Sequence, residues 1–232
     1  FRSGEINRIG KIEEGNITSD FNPNETERQI SIGASALHLD WNETKLNILD
    51  TPGYSDFVGQ VISSLHVADT AVAIIKGAEG VEVGTETTWE FAKEQNIPSA
   101  VIVNKCDNEN SKFEETVELA KDRLGSDVTV ITYPVSEGVN FNSVIDLIKM
   151  KMFTFGEVGS KKVSISDIPA DQKETAETLR EELIEKVAES DEELIEKFFE
   201  EGTLSEEELQ KGLKTAIVKR SLIPLFAASA TN

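Results

Sequence analysis

The sequence is poor in cysteine, in aromatic residues and in positive charge. One cysteine, Cys106, among 232 residues excludes an internal disulfide framework and fits a reducing compartment. Aromatic residues make up 6%, and 23 Lys and Arg stand against 43 Asp and Glu, giving a formal net charge of −20. Nucleic-acid backbones are bound by Lys and Arg that neutralise phosphates, so the composition argues against a general nucleic-acid clamp. No apolar stretch approaches the roughly 20 residues that span a bilayer, so we expect no membrane partner.

Short runs of β-branched residues alternate with amphipathic helical patterns over the first 130 residues. Strands are predicted at residues 31–41, 45–49, 70–75, 99–104 and 128–132. Helices are predicted at residues 58–65, 85–93 and 112–124, and Asn42-Glu43-Thr44 is expected to turn the first two strands into a hairpin. This interleaving predicts an α/β fold with a mainly parallel sheet flanked by helices.

The acidic charge is concentrated in one helical stretch. Residues 157–214 contain 18 acidic and 8 basic residues, which is half of the formal net charge. A helix is predicted to start at residues 168–171, a second near Asp191, and a third after a capping box at residues 203–206. The apolar run 222–228 predicts one more buried strand. We therefore expect a core at 1–124, a mostly helical α/β insertion at 125–220, and the last core strand with its loop at 221–232.

The strongest local motif is Asp50-Thr51-Pro52-Gly53, directly after an apolar strand. An Asp at the carboxyl end of a strand lies where α/β sheets bind ligands, and it can hold Mg²⁺ through water. Gly53 would let the backbone approach a terminal phosphate and donate an N–H. The alternative is an ordinary turn rich in Asp, Pro and Gly.

A second motif, Asn104-Lys105-Cys106-Asp107, closes another apolar strand. The Asp107 carboxylate can accept two N–H bonds from the guanine edge, the Asn104 amide can bridge base and loop, and the Lys105 stem can cover the ring. Ser229-Ala230, after the last predicted strand, could offer backbone N–H groups to the base carbonyl. Each motif alone also suits a polar loop or a close-packed strand end.

Together, these three motifs in this order resemble those of the translational GTPases, and most closely the elongation factor G family. Residues 4–15 resemble the segment after that family's first helix, and residues 27–32 resemble its switch I. Residues 168–212 resemble the helical insertion that the family carries inside its GTPase domain. The resemblance therefore covers nearly the whole chain and implies a GTPase fold of the P-loop type.

The resemblance also implies a set of ligands and partners. It implies GTP or GDP with Mg²⁺, with Asp50 and Ser31 serving the metal and Gly53 the γ-phosphate. The residues implied to read guanine are Asn104, Lys105, Asp107, Ser229 and Ala230. The implied setting is the ribosome, with the acidic insertion contacting a stalk protein, in a cytoplasmic monomer.

Three features depart from the family pattern. No Gly-x-x-x-x-Gly-Lys-Ser/Thr phosphate loop occurs, and the sequence begins without Met, so we expect an excerpt whose GTPase activity is weak or absent without that loop. Ser31 replaces a Thr, although its hydroxyl can still ligate a metal. Tyr54 replaces the His that positions the attacking water, and a phenol can orient water but is a poor base.

These departures leave other functions open. Tyr54 supports a nucleotide-dependent binding module with little or no hydrolysis. Ribosomal protection proteins and the class II release-factor GTPase are near relatives of the resembled family. A purely structural α/β domain would make all three motifs coincidental.

Overall fold

The computed structural model describes residues 3–156, 160 and 162–230 of the chain. The helices are α1 (Pro23–Arg28), α2 (Val58–Leu65), α3 (Val83–Glu94), α4 (Phe113–Arg123), α5 (Lys173–Ala188), α6 (Glu192–Glu201) and α7 (Glu206–Lys219). The first five strands are β1 (Ser35–Trp41), β2 (Thr44–Asp50), β3 (Ala71–Lys76), β4 (Ser99–Asn104) and β5 (Val128–Val130). The others are β6 (Thr132–Pro134), β7 (Ser143–Asp146), β8 (Lys151–Phe155), β9 (Val163–Ser166) and β10 (Ile223–Ala227).

A four-stranded parallel sheet in the order β3-β4-β10-β5 forms the centre of the fold. Its strands pair in parallel throughout, with Ala73 opposite Val101 and Leu225 opposite both Val101 and Val130. Val101 and Leu225 are fully buried, because helices cover this face of the sheet. The expected α/β fold with a parallel sheet flanked by helices is confirmed.

The first two strands form a separate antiparallel hairpin. β1 pairs with β2 from Ser35 opposite Asp50 to Trp41 opposite Thr44. Asn42 and Glu43 both have positive φ angles, of 46° and 62°, which suits the twist of a two-residue hairpin turn. The expected hairpin is confirmed, but β1 begins at Ser35, so residues 31–34 lie in the loop before it.

The second four-stranded sheet is antiparallel and was not predicted. Its order is β6-β7-β8-β9, formed from residues 132–166. The prediction of one continuous strand at 128–132 was wrong. β5 ends at Val130, and Thr132 begins β6, which belongs to a different sheet. β5 pairs with β10, so the parallel sheet includes residues that we had assigned to the insertion. The division of the chain near residues 124 and 220 stays a prediction.

Three helices follow the antiparallel sheet, as the apolar spacing predicted. Asp191 caps α6 by accepting from the backbone N–H groups of Glu193 and Leu194. The sequence predicts the capping box of α7 at residues 203–206, which is two residues too early. Ser205 and Glu208 form the capping box. Each of these two side chains accepts a hydrogen bond from the other's backbone N–H, which satisfies two donors that the helix leaves free.

Close packing joins the insertion helices to the rest of the core. A Cβ atom on Gly212 of α7 would lie 2.5 Å from Val187 Cγ1 and 2.6 Å from Leu194 Cδ1. The buried side chains of the parallel sheet, of β6 and β7, and of α3, α4, α5 and α7 form one continuous apolar core. In the described part of the chain, we find no helix both long and apolar enough to cross a bilayer.

Candidate functional site

The ends of β4 and β10 bring two of the three motifs together. The two strands are parallel neighbours, so the β4 loop (residues 104–108) and the β10 loop (residues 228–230) leave the same edge of the sheet. Asn104 Oδ1 accepts a hydrogen bond of 3.1 Å from the Ala230 backbone N–H. The backbone N–H of Cys106 donates to Ala228 O at 3.1 Å. The side-chain amide of Asn104 therefore joins the two loops through its oxygen atom.

The β4 loop makes a tight turn directly after Asn104. Lys105 has a φ of 59°, and its carbonyl accepts from the Asn108 N–H at 2.9 Å. The Lys105 side chain is exposed, Asp107 is half-buried and Ser229 is buried. Cys106 lies fully buried beneath the turn, and burial raises the pKa of its thiol to about 11. The thiol therefore stays protonated at neutral pH and serves as a packed support.

The β4 loop is also fixed from the side of β3. The Gly77 backbone N–H donates to Asn104 O, and its carbonyl accepts from the Lys112 N–H, both at 2.9 Å. Thr116 Oγ1 donates to the same carbonyl at 3.2 Å. A Cβ atom on Gly77 would lie 2.5 Å from Ser111 Oγ, so the close approach of the two segments depends on glycine here.

A segment between β6 and β7 contacts both the β4 loop and the residues that follow it. Glu137 Oε2 accepts from Ser111 Oγ at 2.5 Å and from the Phe113 N–H at 2.8 Å. The Gly138 N–H donates to Cys106 O at 2.9 Å. Sequence reasoning missed Glu137 because it lies about thirty residues from the motif that it supports and belongs to a sheet that we did not predict.

Asp50, Gly53 and Tyr54 lie at the carboxyl end of β2. Asp50 is the last residue of the strand, and Gly53 is exposed. A Cβ atom on Gly53 would meet no described atom within 4 Å, so its backbone is open to approach. Tyr54 is 58% exposed and its carbonyl accepts from the Phe57 N–H, at the start of a short 3₁₀ turn.

Ser31 lies in a loop that carboxylates hold in place. Its Oγ donates to Asp20 Oδ1 at 2.8 Å. The buried Glu25 carboxylate accepts from the N–H groups of Ile32 at 2.8 Å and of Gly33 at 2.9 Å. These two hydrogen bonds lower the pKa of Glu25, and the bond from the Gly33 N–H contributes most. The loop also reaches α2, because the Ala34 N–H donates to Gln60 Oε1 at 3.2 Å.

The oxygen donors of Ser31 and Asp50 match the preference of Mg²⁺ for hard ligands, and Mg²⁺ needs few protein ligands because it keeps several waters. Ser31 lies four residues before Ser35, which pairs with Asp50 in the hairpin. In the described structure the Ser31 hydroxyl is engaged with Asp20, so it would have to exchange that bond for a metal. Among the described residues, no group of three or more His, Cys, Asp and Glu side chains is placed to hold a metal ion.

A parallel α/β sheet with polar loops at the carboxyl ends of β4 and β10 defines a ligand-binding domain of the open-sheet class. The sequence pattern of the elongation factor Tu GTP binding domain matches residues 1–232. The chain therefore belongs to the family of elongation factor Tu GTP-binding domains.

Similar proteins extend this result. The chain is 36% identical over 230 residues to "Elongation factor G" of Ureaplasma parvum serovar 3 and equally so to that of Ureaplasma urealyticum serovar 10. Each alignment covers 99% of this chain and 33% of the relative. A crystal structure of a Thermus thermophilus protein superposes with a TM-score of 0.90 at 29% identity, covering 98% of this chain and 34% of that one. The chain thus spans about a third of the length of these relatives.

Proposed function

We propose that this chain is the GTP-binding and GTP-hydrolysing domain of an elongation-factor-G-like translation factor that acts on the ribosome in the cytoplasm. The observation that carries the proposal is the hydrogen bond between Asn104 and Ala230, because it joins the two loops whose residues we expect to read guanine. The membership of the chain in an elongation factor GTP-binding family supports the same conclusion.

In this proposal the two loops divide the recognition of the base. The Asp107 carboxylate accepts from the N1–H and the 2-amino group of guanine, which adenine does not present in that arrangement. Asn104 would hold the loops together, Lys105 would cover the ring with its exposed stem, and the backbone N–H groups of Ser229 and Ala230 would donate to the base carbonyl. For Ala230 this means that its N–H exchanges Asn104 Oδ1 for the base. The preference for guanine then follows from donors and acceptors that would be left unmatched by another base.

The residues near β2 would respond to the phosphates. Bound Mg²⁺ would supply positive charge against the phosphate oxygens. Asp50 and Ser31 would hold it, and the open backbone of Gly53 would donate its N–H to the γ-phosphate. Ser31 must leave Asp20 to do so, which makes its loop a segment whose position depends on the nucleotide. Hydrolysis would release the loop that contains Ser31 and the turn that contains Gly53, and it would change how the protein binds the ribosome.

The test uses the complete protein that contains this chain. We expect it to bind GDP far more tightly than ADP, and to hydrolyse GTP faster with ribosomes than without them. Equal affinity for the two nucleotides would contradict the base-reading role. The 232-residue chain alone should bind a fluorescent guanine nucleotide weakly, because it has no Gly-x-x-x-x-Gly-Lys-Ser/Thr sequence to cradle the phosphates. Submicromolar binding by this chain would refute that account.

A nucleotide-dependent binding module with little hydrolysis is the second candidate, and the exposed Tyr54 favours it. It predicts guanine nucleotide binding and ribosome association without stimulated hydrolysis in the assay above. Assays of translocation and of peptide release would separate an elongation factor from a ribosomal protection protein or a release-factor GTPase.

A further inference from the structure

One carboxylate between β6 and β7 binds the segment that follows the β4 loop. Glu137 lies between β6 and β7, at the start of a 3₁₀ turn over Gly138–Asn140. Its Oε2 atom accepts two hydrogen bonds, from Ser111 Oγ at 2.5 Å and from the Phe113 N–H at 2.8 Å. Both donors belong to the segment that follows the β4 loop and leads into α4.

This carboxylate acts as a helix cap from a distant part of the chain. Phe113 is the first residue of α4, and the local N-cap residue, Lys112, makes no capping bond with its side chain. The first N–H groups of a helix need acceptors, and a negative charge there is favoured by the helix dipole. Glu137 meets both needs, so the start of α4 is fixed to the antiparallel sheet.

The same contact leads back to Asn104. Ser111, which Glu137 holds, packs so closely against Gly77 that a Cβ atom on Gly77 would lie 2.5 Å from its Oγ. The Gly77 N–H donates to Asn104 O, and one residue beyond Glu137 the Gly138 N–H donates to Cys106 O, both at 2.9 Å. The segment around Glu137 therefore supports the β4 loop in two ways. Glu137 acts indirectly, through Ser111 and Gly77, and Gly138 binds Cys106 directly.

We infer that Glu137 is a positioning residue that sets the placement of Asn104 and Asp107 for guanine, and that it links the antiparallel sheet to nucleotide selectivity. The inference rests on the proposed function, because it concerns the same base-reading loop. Glu137 itself lies behind that loop and acts through Ser111 and the start of α4. Its loss would allow the loop to shift without removing any group that we expect to touch the base.

The test compares GDP with IDP in the complete protein, because hypoxanthine lacks the 2-amino group that Asp107 is proposed to accept. The ratio of the two affinities does not depend on the fraction of protein that is folded. We expect Glu137→Ala to lower the preference for GDP by about 2–30-fold, in the range found for mutations that act at a distance. Glu137→Gln keeps an oxygen that can accept both bonds and should stay close to the parent.

Two further variants control the result. Glu109→Ala removes an exposed carboxylate from the same region and should leave the ratio unchanged. Ser111→Ala removes one of the two donors and should lower the ratio even if Glu137→Ala does not fold. In the 232-residue chain, amide hydrogen exchange over residues 104–113 should accelerate in Glu137→Ala and Ser111→Ala but not in Glu109→Ala.

The outcomes separate this inference from the function on which it rests. A parent protein without preference for GDP over IDP would overturn the proposed function and this inference with it. A parental preference that survives both Glu137→Ala and Ser111→Ala would overturn the inference alone. A ratio that falls equally in Glu109→Ala would show a general effect of charge and would also overturn it.

Discussion

At the scale of single residues, Asp107 offers the sharpest test of base recognition. Asp107→Asn replaces an acceptor by an amide whose N–H₂ can donate to the carbonyl that xanthine carries in place of the guanine 2-amino group. We expect the preference of the complete protein to move from GTP toward XTP by roughly 5–150-fold, since an unmatched buried polar group costs about 1–3 kcal/mol. Competition titrations with the two nucleotides measure this shift. An unchanged preference would remove Asp107 from the base pocket.

In the proposed GTPase, Tyr54 would limit the rate of hydrolysis. It stands exposed at the turn after Gly53, where it can orient water but lacks the acid–base chemistry of a His. Positioned acid–base groups contribute on the order of 10²–10⁴-fold to rates, so Tyr54→His should raise single-turnover GTP hydrolysis on ribosomes about tenfold or more. Tyr54→Phe should lower it, with nucleotide affinity nearly unchanged in both. A Phe variant as fast as the parent would leave the hydroxyl without a catalytic role.

The residues of the proposed site could be named from the sequence because their chemistry stands in short motifs. Asn104 and Ala230 meet as expected, since strand ends in a parallel sheet share one edge. The supporting residues Gly77 and Glu137 were not predictable in this way. Their roles depend on a close approach and on a hydrogen bond between segments far apart in the chain, and neither leaves a local pattern.

At the scale of elements, the helices with clear apolar spacing were predicted well and the short strands were not. α2 occupies residues 58–65 as expected, whereas the strands of the antiparallel sheet are only three to five residues long. β7 is buried on both faces apart from its last residue, and β9 is exposed throughout. Neither alternates in a way that would distinguish a strand from a loop.

The packing of α7 depends on Gly212. Gly212→Ala adds a Cβ within 2.6 Å of two side chains, one of them the fully buried Val187. Overpacking of this kind costs about 1–3 kcal/mol, which offsets the gain of about 1 kcal/mol in helix propensity. We therefore expect a net loss of stability of up to about 2 kcal/mol in denaturant unfolding.

Gly59 in α2 is the matched control for this change. A Cβ there would meet no described atom within 4 Å, so Gly59→Ala should gain up to about 1 kcal/mol from helix propensity alone. If Gly212→Ala stabilised the protein as much as Gly59→Ala, the contact between α7 and Val187 would not be close.

At the scale of the whole molecule, we propose that the negative charge of the predicted insertion serves to dock a basic stalk protein. Glu206 and Glu207 are exposed at the start of α7, whereas Glu208 is engaged by Ser205 and by Lys197 at 2.5 Å. These contacts lower the pKa of Glu208 to about 2, and the hydrogen bond from Lys197 contributes most. Glu208 is therefore occupied as a partner of Lys197 and as part of the capping box of α7. The docking test should therefore spare Glu208.

Glu206→Gln combined with Glu207→Gln should slow association with the stalk protein and flatten its salt dependence, because steering by charge accelerates encounter mostly at low salt. Stopped-flow association at several salt concentrations measures both effects. Asp40→Asn with Glu43→Gln removes the same charge from the hairpin and serves as control. Identical rates in the two double variants would mean that the insertion charge only solvates its helices.

The strand order of the parallel sheet also governs when the chain can fold during synthesis. β10 lies between β4 and β5, yet it follows β5 by more than ninety residues in the chain. Until β10 emerges from the ribosome, β4 and β5 lack their common neighbour and the core stays open. We expect nascent chains arrested just before Ile223 to remain sensitive to protease and chains extended well past Ala230 to become resistant. The parallel sheet described here thus closes only with β10, immediately before the loop that carries Ser229 and Ala230.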